Sequence, residues 1–165
     1  MLFDNPRFLF VDFQHNTGDA LRVDERYGLD KPGLLIPSLE LVWDHSVFPD
    51  DVTGRCLLLK LGLTFSMIEF SDERARIRFV ITKEVTGPHG RVAQREAQIA
   101  RGDACATPSK AASFSLEQYY GPIEPLQPGQ LLTLRARVAT LAGTAEIASG
   151  VLGTNEFRAE AFRVG

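Results

Sequence analysis

The sequence predicts an α+β domain, mostly antiparallel strands with one long buried helix, and leaves an all-β antiparallel barrel as the alternative. Three observations lead there. Most of the chain alternates apolar and polar residues in runs of strand length, separated by turns rich in Gly, Asn or Pro. One segment, PGLLIPSLELVWDHSVF at 32–48, fits a helix template and a strand template almost equally. Its prolines favour the helix, because Pro37 is harmless in a first helical turn but removes a ladder bond from a central strand. Pro49 would also end a helix where the pattern ends.

The elements follow in order. RFLFVDF and NTGDALRVDERY read as two strands around a turn supplied by Asn16, Thr17 and Gly18. In segment 32–48, a helix would gather Leu35, Leu39, Val42, Trp43 and Val47 into one stripe. A strand would instead face Leu39, Leu41, Trp43 and Val47 one way. GRCLLLKLGLTFSMIEF is a long apolar run compatible with a buried strand. RARIRFVITKEV places Ala75, Ile77, Phe79 and Ile81 on one face and Arg74, Arg76 and Arg78 on the other. TGPHGR is a turn, and VAQREAQIAR returns as a polar-faced strand. GDACATPSKAASFSLEQYYGPIEPLQPGQ reads as a connector, since Pro122, Pro125 and Pro128 oppose a long regular element in its second half. LLTLRARVATL, GTAEIASGVL and NEFRAEAFRV close the chain as three strands. A faint echo links 65–102 with 119–153, as a generic meander or a duplication.

Composition narrows the partners. The 165 residues make one domain, and 44% hydrophobic with 24% charged residues is the globular average. A net charge of −3 without a concentrated basic patch argues against nucleic acid. No run reaches the ~18 apolar residues of a membrane helix, and MLFDNPRFLFVDF carries an acid too early for a signal peptide. A soluble, cytoplasmic protein is therefore expected. Cys56 and Cys105, the two cysteines, show no metal-type spacing and read as reduced thiols, so no metal and no cofactor is expected.

If 34–48 is a helix, the order strand, Pro-Gly, helix, long antiparallel strands resembles the hotdog fold, a curved antiparallel sheet around one central helix. The β-hydroxyacyl-carrier-protein dehydratases are the branch it looks like. They share an apolar-apolar-Val-Asp opening strand and entry to the helix through Pro-Gly, here Pro32-Gly33. Glu40 and Trp43 match an acid three residues before a Trp, and the ending from PGQLLTLRARV resembles the family's closing strands. The family's catalytic His has no counterpart, since YGLDKPG occupies its place. Residues 1–165 would then be one hotdog-like domain, with an extra β region, about 107–165, as partial repeat or appendix.

The resemblance implies an enzyme or binding domain for an acyl- or polyketide-like thioester, of dehydratase, isomerase, cyclase or thioesterase kind, as in fatty acid biosynthesis. Such lyase or isomerase chemistry needs a base for an α proton and an acid for the leaving oxygen. Glu40 and His45 are the candidates for those roles, with Trp43, Tyr119 and Tyr120 as substrate-binding residues. An acyl-carrier protein or CoA thioester would be the partner, and a homodimer would complete the tunnel. The all-β alternative is a small-molecule-binding barrel with Trp43 and His45 turned into its cavity, binding an apolar ligand or cyclising it in natural-product biosynthesis. His89 is read as exposed in its turn, His15 as a residue before the first turn without a role, and the RGD at 101–103 as part of a turn.

Overall fold

The computed structural model describes residues 7–16, 18–48, 56–107, 110–150 and 155–164. Ten strands account for most of them: β1 (Arg7–His15), β2 (Leu21–Val23), β3 (Leu34–Asp44), β4 (Cys56–Phe70), β5 (Arg76–Thr86), β6 (Val92–Cys105), β7 (Ala111–Ile123), β8 (Leu131–Ala142), β9 (Ala145–Ile147) and β10 (Asn155–Val164). Helix among the described residues is limited to single 3₁₀ turns at Glu25–Tyr27, His45–Val47 and Pro88–Gly90.

The strands form two antiparallel sheets. In sheet A, β1 pairs with β10, β10 with β4, and β4 with β7 on its other edge; β9, joined to β2, continues along β4 beyond the end of β10. Sheet B runs β3-β8-β5-β6. The chain crosses from sheet to sheet after β2, β3, β4, β6, β7 and β8. Eight strands in the orders β1-β10-β4-β7 and β3-β8-β5-β6 make a jelly roll, and β2–β9 is an added ribbon.

The α+β expectation is therefore corrected. Leu34–Asp44 is a strand paired with β8, and the central helix that carried the hotdog resemblance is absent. The dehydratase resemblance loses the element that carried it, and the thioester, acyl-carrier, CoA and dimer expectations, which came through the same resemblance, draw no support from this arrangement. The observed class is all-β, as two stacked sheets rather than a closed barrel. Pro37 misled for an identifiable reason. It sits at a register shift between Leu35 and Glu40, next to Ser38 at φ 65°, in a strand that pairs on one edge only. An edge strand at a bulge tolerates proline. Pro49 lies outside the described residues.

Three smaller expectations also change. The connector contains β7, with a cis Gly121–Pro122 bond near its end. Arg101, Gly102 and Asp103 lie within β6 rather than in a turn. There Gly102 lets the Phe114 ring lie on the backbone, since a Cβ would meet that ring at 2.9 Å. The strands β1 and β2, read as neighbours, pair with β10 and β9 instead.

The core fills the space between the sheets. Leu57, Leu59, Leu61, Leu63 and Phe65 of β4 face Ile77, Phe79 and Ile81 of β5, all fully buried. Phe79 stacks on Phe65 at 4.5 Å and lies 4.5 Å from Phe114. At the β1–β3 side, Phe10 meets Trp43 edge-on at 4.8 Å, and the Trp43 Nε1–H donates to Asp12 Oδ2 at 2.9 Å. No described helix is long and apolar enough to cross a membrane.

Candidate functional site

The outer face of sheet A holds a groove centred on β4, and its composition follows from that strand. In LLLKLGLTF, Leu57, Leu59, Leu61 and Leu63 turn into the core, so Leu58, Lys60, Gly62 and Thr64 turn outward. Register then sets three rows across the sheet. Val11, Glu160, Lys60 and Tyr119 form one; Phe13, Arg158, Gly62 and Glu117 the next; His15, Glu156, Thr64 and Ser115 the third. The four strands span about 14 Å at ~4.8 Å spacing.

Gly62 is the floor of a groove of about 240 Å³ walled by Lys60, Glu117, Glu156, Arg158 and Glu160. Nothing in the backbone calls for glycine here. Its φ is ordinary, and a Cβ would meet no atom closer than 3.9 Å. Glycine in mid-strand weakens the strand, so the missing side chain is a cost without a packing reason.

Ion pairs stand around this floor. Lys60 Nζ lies 2.8 Å from Glu117 Oε1, and that carboxylate's hydrogen bond raises the lysine pKa. Arg158 donates from Nε at 3.1 Å and from Nη2 at 2.9 Å to Glu160 Oε1. His15 Nε2 is 3.2 Å from Glu156 Oε2. Pairs this exposed add little stability. What they do is gather donors and acceptors around an open centre. Exposed rings bracket it, Phe13 on β1 and Tyr119 on β7, with Lys60 Nζ 5.9 Å from the Tyr119 centroid.

The residues singled out from sequence are dispersed. Glu40 lies on the outer face of sheet B, where Arg135 Nε donates to Glu40 Oε2 at 3.1 Å. Trp43 projects from the opposite face of β3 into the core. His45 is exposed in the 3₁₀ turn after β3, which Asp44 caps by accepting from Ser46 N at 2.9 Å. Tyr119 borders the groove, whereas Tyr120 points to the inner side, half-buried against the core. Glu40 instead belongs to a charged network: Arg135 also donates to Glu84 at 3.2 Å, and Arg137 to Glu96 at 2.6 Å. His89 is exposed at φ 62°, as its turn suggested. Cys105 is an exposed free thiol, and the side chain of Cys56 lies outside the described residues. No metal-binding cluster of three or more His, Cys, Asp or Glu occurs among the described residues.

The sequence reading passed over Lys60, Gly62, Glu117 and Arg158. The signal was there in β4: a glycine in the outward series of an otherwise strict alternation marks a bulge or a close approach.

No protein family matches the sequence, and no curated protein does. Among solved structures, the chain is similar to Eiger TNF from S. frugiperda, with TM-score 0.46, 13% identity, and 96% of this chain and 94% of that one covered. It is also similar to the infectious bursal disease virus VP2 subviral particle, with TM-score 0.43, 13% identity, and 99% and 42% covered. A CocE/NonD family hydrolase from Staphylococcus aureus follows, with TM-score 0.37, 10% identity, and 96% and 34% covered. Likenesses this low transfer neither residues nor activity to the chain.

Proposed function

We propose that this domain is a binding module for a neutral, hydroxyl-rich ligand of the short-oligosaccharide kind, held across the outer face of sheet A. Gly62 carries the reading: it opens a groove in the middle of the sheet's central strand at a cost to that strand. The surroundings favour hydroxyls. Carboxylates of Glu117, Glu156 and Glu160 accept, and Lys60 and Arg158 donate, so an array of alternating polarity meets alternating O–H groups. The near balance of those charges disfavours a phosphate-rich ligand. Phe13 and Tyr119 offer flat faces for the C–H side of a sugar ring.

The test is affinity electrophoresis through immobilised polysaccharides, or a glycan array, with wild type and Gly62→Val. Wild type should be retained by at least one glycan, and Gly62→Val should fold unchanged by circular dichroism and lose retention. Binding by Gly62→Val at wild-type strength, or no glycan retained by wild type, refutes the proposal.

A further inference from the structure

A second cavity lies between the sheets at one end of the sandwich, away from the Gly62 groove. It measures about 280 Å³, and Lys83, Phe48, Val85, Ile123, Leu126 and Leu132 are among its walls. Lys83 is out of place by its own strand's logic. The inward positions of β5 are Ile77, Phe79, Ile81, Lys83 and Val85, a core face with one ammonium in it. That ammonium sits 5.6 Å from the ring centroid of Tyr120. No carboxylate is within ion-pairing distance of it among the described residues, and burial alone holds its pKa below the ordinary lysine value.

A half-buried ammonium with no ion pair is a group that a ligand's negative charge would satisfy, and the walls beside it mix the apolar Phe48, Val85, Leu126 and Leu132 with the polar Glu124 and Gln130. One ligand class answers both. We propose that this cavity binds a small amphiphilic carboxylate, its head on the Lys83 ammonium and its alkyl or aryl body among Phe48, Val85, Leu126 and Leu132. Gln130 assists, since its Oε1 already accepts from Gln127 N at 2.9 Å and its amide N–H₂ is left to donate. At about 30 Å³ per water-sized unit the volume takes on the order of nine heavy atoms, the scale of octanoate. A single point-like ammonium suits one carboxylate rather than a phosphate, whose charge and oxygens ask for more donors. The site stands independently of the groove on sheet A.

The probes are octanoate, octan-1-ol and octylamine, titrated calorimetrically into the full chain below their aggregation limits. Octanoate should bind at least tenfold more tightly than octanol, octylamine should not bind, and Lys83→Met should lose at least tenfold for octanoate with octanol unchanged. In wild type carrying ¹³C-dimethylated lysines, octanoate should shift the Lys83 methyl resonance and leave those of Lys31, Lys60 and Lys110 in place. Equal affinity for octanol and octanoate, an unshifted Lys83 resonance at saturating octanoate, or full octanoate affinity in Lys83→Met overturns the proposal.

Discussion

Replacing Arg135 by Met should expose how much of this sandwich rests on charge. Arg135 stands on the outer face of β8, its side chain only 20% exposed. It donates to Glu40 at 3.1 Å and to Glu84 at 3.2 Å from two nitrogens, with Glu96 at 3.5 Å. Removing it leaves Glu40, Glu84 and Glu96 clustered, with Arg137 and Thr82 to serve Glu96 and the other two carboxylates without their Arg135 partner. Deleting one partner of a fully buried pair costs about 3–5 kcal/mol, and of an exposed pair about 0.2–1 kcal/mol. A network between those limits should lose about 2–3 kcal/mol, or about 5–10 °C in Tm for a chain of this size. The sign with pH follows from Glu96. Burial pushes its carboxyl up, but hydrogen bonds from Arg137 and Thr82 and the charges of Arg137 and Arg135 outweigh burial and hold the pKa below the ordinary value. Stability from such a group is present above the unfolded-state pKa, ~4.3, and lost as pH falls through the lowered folded value. The gap between wild type and Arg135→Met in urea unfolding should therefore be full at pH 7 and shrink towards pH 3.5. A gap below about 0.5 kcal/mol at pH 7, or one of constant size across that range, refutes the argument.

Three further outcomes follow from the core and its edges. Trp43→Phe keeps the ring's bulk but strands the Asp12 carboxylate, and should cost about 1–2 kcal/mol in denaturant unfolding. Phe79→Ala removes the ring between Phe65 and Phe114 at the centre of the sandwich and should cost about 3–5 kcal/mol by the same measurement. Lys83→Met should stabilise the fold at neutral pH and flatten its alkaline profile. With the folded pKa of Lys83 depressed, wild type gains stability as pH rises from that value towards the ordinary 10.5, because the unfolded chain then holds more protons; the variant lacks that gain.

Strand positions were legible wherever one face is dry. The alternation of 75–81 placed Ile77, Phe79 and Ile81 inward and the arginines outward, as observed, because period two maps directly onto a half-buried sheet. Segment 32–48 failed for a local reason. Its strand template was correct for Leu39, Leu41 and Trp43, but Pro37 was weighed as though the strand were central, and edge position is a property of topology that no local window contains. The same holds for β7, whose partners on β4 lie some fifty residues away and whose Pro122 is accommodated next to the strand's last residue, Ile123. Sheet order and crossovers are long-range facts, so the two-sheet pairing was out of reach of periodicity. Tyr119 was singled out because a Tyr-Tyr pair beside prolines stands out in the sequence; Arg158 and Glu117 were not, because only register brings them to Gly62.

The two outer faces differ in how they use their polar residues, and the difference argues for where recognition lies. On sheet B the outward positions of neighbouring strands are filled, and their charges close on one another: Arg78 with Asp103, Arg135 with Glu40 and Glu84, Arg137 with Glu96. A face whose donors and acceptors are mutually consumed, most of them half-buried, stiffens its sheet and has little left for a ligand. On sheet A the central outward position is vacated at Gly62, and the ion pairs around it are more exposed, with Glu117 64% and Arg158 50% accessible. Such pairs can rearrange towards hydroxyls at small cost, since their own attraction in water is slight. If stability alone governed both faces, a β-branched residue at position 62 would strengthen β4 by about 0.5–1 kcal/mol, its Cβ meeting nothing closer than 3.9 Å. Gly62→Val should therefore raise the unfolding free energy while removing ligand retention, and a variant that lost both together would show the glycine to be structural.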